Sequence, residues 1–308
     1  MKSLRTPDER FADLPDYPFV PHYREVATDG VEDGEGGRLR VHFLDEGPVG
    51  AAPVLLLHGE PSWSYLYRHM IPILVEAGHR CIAPDLVGFG RSDKPVEQND
   101  YSYARHVAWM SDLLFTQLDL RNITLFAQDW GGLIGLRLVG ESPERFARIA
   151  IGNTGLPSGG RGPNEAFMAW QRYSRESPTF PIGDIVARGC AQAVSADVVA
   201  AYDAPFPDDS YKAGARKFPS LVPTGIDDPA EQANAASWEV LKRFDRPFLC
   251  AFSDSDPVSK GGERAFVGTV PGAIGQPHTT IVGAGHFLQE DRGPELAKVI
   301  VDFIAARS

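Results

Sequence analysis

The segment at residues 125–133, LFAQDWGGL, runs from an apolar stretch through one acidic residue to two glycines. This pattern is typical of a nucleophile elbow, a tight turn between a strand and a helix that exposes one side chain above the sheet edge. The exposed residue would be Asp129, and Ala127 occupies a position where glycine is usual. Asp129 also has a simpler interpretation, because an aspartate before a helix commonly caps its N-terminus.

A second candidate segment, residues 54–61 with the sequence VLLLHGEP, ends a predicted strand in a glycine-containing turn. In enzymes with a nucleophile elbow, the loop after an early strand donates one backbone N–H to a developing oxyanion, and the residue after the nucleophile donates another. These donors would be the N–H groups of Glu60 and Trp130. The same residues are also compatible with a turn that has no part in chemistry.

A candidate base and a candidate supporting acid follow later in the chain. His286 lies in a glycine-flanked loop, residues 283–287, between a predicted strand and the last predicted helix. Asp254 and Asp256 follow another predicted strand, and we prefer Asp256 as the partner of His286 because it lies just past the strand end. The order Asp129, Asp256, His286 is the nucleophile, acid and histidine order of this class of site.

The residue type at the elbow selects the reaction. A carboxylate that attacks an sp³ carbon forms an ester, and water activated by a histidine can hydrolyse that ester and restore the aspartate. A serine in this position would form an ether, which has no carbonyl group for water to attack. Asp129 therefore favours the opening of a carbon–halogen bond or an epoxide, and it argues against esterase, lipase or peptidase activity.

The leaving group distinguishes those two reactions. A halide needs N–H donors in a dry pocket, and the indoles of Trp130 and Trp170 can only donate. Taken by itself, Trp170 is more simply explained by the packing of a helix. An epoxide oxygen needs proton donors, which Tyr173, Tyr202 and Tyr211 could supply, so composition leaves that reaction open. A non-enzymatic binding protein is a more distant alternative, because such proteins normally lack the nucleophile or the base.

Strands and helices must bring these side chains to one edge of a sheet. Apolar, strand-like runs alternate with helical patterns, which predicts βαβ units and a mostly parallel, doubly wound α/β sheet. The strand-like runs are residues 39–44, 54–57, 80–83, 123–127, 149–151, 248–252 and 279–282. The helical patterns are residues 65–76, 103–118, 133–141 and 294–306, and residues 28–37 are expected to form an exposed turn.

Between residues 156 and 230 the alternation stops and prolines become frequent. This change indicates a helical cap inserted between two halves of one core, residues 1–155 and 231–308. The helical patterns within the cap are residues 164–175, 184–193 and 196–202.

In these motifs the chain resembles the haloalkane dehalogenases of the α/β-hydrolase superfamily, and specifically their first subfamily. The matching stretches are residues 58–68 (HGEPSWSYLYR), 83–95 (APDLVGFGRSDKP), 128–132 (QDWGG), 202–207 (YDAPFP), 215–219 (ARKFP) and 285–290 (GHFLQE). The resemblance implies Asp129 as nucleophile, His286 as base and Asp256 as supporting acid, with Trp130 and Trp170 as halide donors. It also implies hydrolysis of a haloalkane to an alcohol, a halide and a proton through an alkyl-aspartate ester.

The amino-acid composition indicates which classes of partner the protein can bind. The 308 residues carry a formal net charge of −11, which disfavours nucleic acid and anionic membranes as partners. A small neutral halogenated alkane needs no electrostatic attraction, and no metal or organic cofactor is expected. Three dispersed cysteines and an N-terminus without an apolar segment predict a reducing, cytoplasmic location. We expect the protein to be a monomer.

Overall fold

A computed structural model describes residues 1–28, 37–159 and 164–306 of the chain. The predicted turn at residues 28–37 therefore lies almost entirely outside the described residues. The strands are β1 (Ser3–Leu4), β2 (His22–Ala27), β3 (Arg38–Glu46), β4 (Pro53–Leu57), β5 (Arg80–Pro84), β6 (Lys94–Pro95), β7 (Ile123–Gln128), β8 (Phe146–Gly152), β9 (Phe248–Ser253) and β10 (Thr279–Ile281).

Eight of these strands form one sheet in the order β10-β9-β8-β7-β4-β5-β3-β2. The strands from β10 to β5 run parallel, whereas β2 and β3 are antiparallel to their neighbours. Every residue of β4, β7 and β9 is buried, as expected for parallel strands that are covered on both faces. The predicted α/β architecture with a mostly parallel sheet is confirmed, and the carboxyl ends of β4, β7, β8 and β9 lie side by side.

The described α-helices cover the sheet and fill the connections. They are α1 (Ile71–Glu76), α2 (Tyr103–Ser111), α3 (Trp130–Glu141), α4 (Glu165–Glu176), α5 (Ile182–Gly189), α6 (Ala196–Asp203), α7 (Ala213–Lys217), α8 (Glu231–Leu241), α9 (Glu263–Val267) and α10 (Leu288–Ala305). No helix of the described ranges is long and apolar enough to cross a membrane.

Two predicted helices differ from the observed ones at a proline. The pattern at residues 65–76 divides into a 3₁₀ turn, Ser64–Tyr67, and α1, which begins just before Pro72. Proline lacks an N–H and its ring clashes with the preceding turn, so it starts a helix better than it continues one. The last helix begins earlier than predicted, at Leu288, and kinks at Arg292 before Pro294.

Helices α4 to α7 follow β8 and precede α8, and we call them the inserted helices. They lie within the stretch, residues 156–230, for which the sequence predicts a cap. Three of them match the predicted helical patterns, and two of these three, α4 and α6, have N-termini capped by side chains that suit that position. The Asn164 side chain accepts a hydrogen bond from the N–H of Phe167, and the Ser195 side chain accepts one from the N–H of Val198.

Candidate active site

Asp129 lies between the end of β7 and the first residue of α3. Its backbone has φ 51° and ψ −127°, a conformation that non-glycine residues rarely adopt and that marks strained functional turns. The side chain makes no capping hydrogen bond to α3, so the helix-cap interpretation of Asp129 is wrong. Instead its Oδ1 accepts a hydrogen bond of 2.7 Å from the backbone N–H of Glu60, which follows β4.

Two glycines allow this turn to pack against the neighbouring strand. A Cβ atom on Gly59 would collide with the Asp129 side chain, and one on Gly131 would collide with the carbonyl group of Leu57. The Oγ1 of Thr154 donates to the Asp129 carbonyl at 2.7 Å, which fixes the turn from the side of β8. The strained backbone is therefore held by contacts from both adjacent strands.

His286 lies between two of the predicted acids. Its Nε2 is 3.5 Å from Oδ2 of Asp129, and its Nδ1 is 3.0 Å from Oδ2 of Asp256. Burial alone would lower the pKa of His286, but the two facing carboxylates raise it to about 10. The two carboxylates thus favour the protonated form of the imidazole.

Asp256 is almost completely buried, with 1% of its surface exposed. Burial would raise the pKa of this carboxyl group, but the facing imidazole of His286 and hydrogen bonds from Ser259 and Val258 lower it to about 2. These bonds leave Asp256 ionised and fixed in orientation. Asp254, the other acid considered from the sequence, is exposed and accepts instead from the backbone N–H groups of Gly283 and Ala284.

Glu60 contributes more than its backbone N–H to this region. Its side chain is buried, with 4% exposed, and its Oε1 has no hydrogen-bond partner among the described residues. Burial and the nearby Asp129 raise the pKa of Glu60 well above its ordinary value, against the opposing effect of the nearby His286. Burial therefore favours the neutral form of this carboxyl group.

Trp130 and Trp170 line one cavity of about 260 Å³ together with Asp129 and His286. Trp130 is the first residue of α3, whose initial N–H groups have no partners within the helix. Trp170 belongs to α4 and stacks on Tyr173 and Phe180, with ring centroids 5.8 and 5.7 Å away. The cavity is thus bounded by the sheet edge on one side and by the inserted helices on the other.

A second cavity, of about 510 Å³, also borders Asp129, Trp130 and His286. Asn153 and Thr154 at the end of β8 give it a more polar wall than the first cavity has. Asp129 and His286 therefore border both cavities.

Two residues that sequence reasoning missed hold the loop of His286. Asn153 follows β8, and its Nδ2 donates to the carbonyl oxygens of Gly285 and His286, at 2.8 and 3.0 Å. Gln128, the last residue of β7, donates to the same His286 carbonyl at 3.1 Å. Their position directly at strand ends is the signal that could have identified them, because polar residues there face the carboxyl edge of the sheet.

Comparison with known proteins identifies the family. The family model of the alpha/beta hydrolase fold matches residues 52–293. A haloalkane dehalogenase of Psychrobacter cryohalolentis is 60% identical over 304 residues, which is 99% of this chain and 98% of that protein. Another, from Mycolicibacterium paratuberculosis, is 52% identical over 98% of each chain. This chain belongs to the haloalkane dehalogenases.

A solved structure supports the same family. The haloalkane dehalogenase of Paraglaciecola agarilytica, described as tetrameric, matches with a TM-score of 0.88 and 38% identity, and it covers 100% of this chain and 99% of its own. As a haloalkane dehalogenase, the chain is a hydrolase that acts on carbon–halide bonds. Its substrate is a halogenated alkane, the second reactant is water, and halide is a product.

Proposed function

We propose that this haloalkane dehalogenase works through a covalent ester on Asp129. The free Oδ2 of Asp129 attacks the carbon that bears the halogen, the new C–O bond forms as the C–halogen bond breaks, and the halide leaves with the bonding electron pair. The observation that carries this proposal is the position of Asp129, between the Glu60 N–H at 2.7 Å and His286 at 3.5 Å. The departing anion is held by the indole N–H groups of Trp130 and Trp170, which can only donate.

The second step removes the alkyl group with water. Esterification removes the negative charge of Asp129 and with it one of the two charges that raise the pKa of His286. His286 then releases its proton to solvent, and the neutral imidazole takes a proton from water, whose oxygen attacks the ester carbonyl carbon. The developing oxyanion is stabilised by the N–H groups of Glu60 and Trp130. Collapse of this intermediate releases the alcohol and restores the aspartate, and Asp256 stabilises the imidazolium.

The structure of the inserted helices supports a halide rather than an epoxide oxygen as the leaving group. Opening an epoxide on this site would require a phenol near Asp129. Among the described residues, no tyrosine lines either cavity beside Asp129. Tyr202 is buried and donates to Glu290 at 2.6 Å, and Tyr173 stacks on Trp170.

Trapping the ester tests this mechanism. In His286→Phe the first step remains possible, whereas the base of the second step is missing. Incubation with 1,2-dibromoethane should leave a bromoethyl adduct on the peptide that contains Asp129, detected by mass spectrometry. The matched control is His79→Phe, because His79 lies at the amino end of β5, the opposite edge of the sheet. Unchanged turnover by His286→Phe, or an adduct on another residue, would contradict the mechanism.

We further propose that the chain acts as a monomer in a reducing compartment, the cytoplasm. All residues assigned to the two steps belong to one chain, and Cys81, Cys190 and Cys250 are free thiols. Light scattering coupled to gel filtration tests the first point. A tetramer, the state described for the Paraglaciecola protein, would contradict the monomer but not the site.

A further inference from the structure

Asp291 connects the loop of His286 with the inserted helices. It lies in the first turn of α10, and its Oδ2 accepts from the backbone N–H of Gly285 at 2.7 Å. The same oxygen accepts from the N–H of Ala191 at 2.9 Å, and Oδ1 accepts from the N–H of Gln192 at 2.8 Å. One carboxylate thus holds the residue before His286 and two residues that follow α5.

The two segments also touch each other directly. The N–H of His286 donates to the carbonyl oxygen of Gly189, the last residue of α5, at 2.7 Å. A Cβ atom on Gly285 would collide with that carbonyl, so the backbones meet with no space between them. Gln192 adds a side-chain bond to the Gly283 carbonyl at 3.0 Å. The position of His286 is therefore set partly by the end of α5.

The same segment forms part of the cavity wall. Gly189, Cys190 and Ala191 line the cavity that contains Asp129. A carboxylate that accepts three N–H bonds makes stronger hydrogen bonds than a neutral acceptor would. Without the Asp291 carboxylate, the N–H groups of Gly285, Ala191 and Gln192 lose their acceptor. Both the cavity wall and the loop that carries His286 can then shift.

We propose that Asp291 is a positioning residue for His286, and that it supports the hydrolysis of the ester more than its formation. This inference rests on the proposed role of His286 as the base. Attack by Asp129 depends most directly on β7, α3 and the Glu60 N–H, whereas the side-chain hydrogen bonds of Asp291 in the described residues go to Gly285, Ala191 and Gln192. Hydrolysis depends on the position of the imidazole, and a displacement of about 1 Å can reduce a rate on the order of 100-fold.

The test separates the two steps by rapid mixing. Wild type, Asp291→Ala and Asp291→Asn are mixed with 1,2-dibromoethane and quenched at intervals, and the bromoethyl adduct and free bromide are quantified. We expect Asp291→Ala to release the first bromide within about twofold of the wild-type rate and to hydrolyse the adduct at least about tenfold more slowly. The adduct should accumulate accordingly. Asp291→Asn, which keeps one acceptor oxygen, should show a smaller accumulation.

A control variant and folding measurements accompany the rapid-mixing experiment. Asp302→Ala removes an exposed carboxylate from the same helix and should behave as wild type. Melting temperatures report whether each variant is folded, and if Asp291→Ala does not fold, Asp291→Asn decides. Proportional slowing of both steps, or no slowing, overturns the role of Asp291. If His286→Phe also fails to accumulate the adduct, the proposed mechanism itself is wrong, so the two failures are distinguishable.

Discussion

The guanidinium group of Arg68 donates two parallel hydrogen bonds to the carboxylate of Glu290, at 2.6 and 2.7 Å. Both side chains are largely buried, with 1% and 10% exposed. Tyr202 of α6 donates to the same carboxylate at 2.6 Å. The first turn of α10 is thus tied to the inserted helices by Glu290 as well as by Asp291.

Removal of one partner from this buried pair should strongly destabilise the protein. Arg68→Ala leaves the Glu290 charge buried without its cation, so we expect the free energy of unfolding in urea to fall by about 3–5 kcal/mol. Arg121→Ala is the control, because its ion pair with Asp119 is exposed and should contribute only about 0–1 kcal/mol. Equal losses in the two variants would show that the Arg68 pair has no special role.

Substitution of Trp170 should weaken halide binding. A hydrogen bond to a charged group contributes about 1.5–3 kcal/mol, so Trp170→Phe should raise the dissociation constant for bromide about 10- to 100-fold. Quenching of tryptophan fluorescence by bromide measures this change. Trp238→Phe is a suitable control, because the Trp238 indole already donates to the Leu156 carbonyl at 2.8 Å. An unchanged quenching curve for Trp170→Phe would show that Trp170 does not bind the halide and only packs against neighbouring helices.

A methyl group at Gly59 should displace the nucleophile. Because a Cβ there would overlap the Asp129 side chain, Gly59→Ala should reduce turnover about 100-fold or more. Gly50→Ala is the control, because a Cβ at that position has no neighbouring atom within 4 Å. Steady-state kinetics and circular dichroism of both variants test this expectation. Wild-type turnover in Gly59→Ala would mean that Asp129 tolerates movement.

The protonation of His286 should affect stability at alkaline pH. Its pKa is raised from 6.5 to about 10, so its contribution to stability is complete below pH 6.5 and is lost as the pH rises toward 10. The stability of wild type relative to His286→Gln should therefore fall between pH 7 and 10. NMR titration provides a second check, since Asp129→Asn should lower the pKa of His286 and Asp254→Asn should not. A constant stability difference across this range would contradict the ion pairing.

The raised pKa of Glu60 predicts that an amide is tolerated at this position. Burial and Asp129 raise the pKa of Glu60 well above its ordinary value, and glutamine has the same size as the neutral acid. Glu60→Gln also keeps the backbone N–H that contacts Asp129. We expect its turnover at pH 7 to remain within about tenfold of wild type, whereas Asp256→Asn, which removes a required charge, should lose far more. Comparable losses in both variants would indicate that Glu60 acts as an anion.

Much of the fold and of the candidate site could be predicted from the sequence, because the reaction requires particular residue types and the fold requires them in a particular order along the chain. Asp129, Asp256 and His286 were recognisable from polar residues placed at strand ends, and the strand positions followed from apolar runs. The choice between Asp254 and Asp256 depended on which carboxylate faces the imidazole of His286. The conformation of the loop after β9 determines this orientation. Asn153 and Asp291 were missed because most of their partners are backbone groups 99 to 133 positions away, which leave no local pattern.

The placement of Trp170 on an inserted helix also has a consequence for how such enzymes diverge. The residues proposed for hydrolysis belong to the sheet edge, whereas one proposed halide donor and much of the cavity wall belong to a separate segment. A chimaera that received foreign helices α4 to α7 would therefore keep halide binding only if those helices also supplied an N–H donor where Trp170 lies.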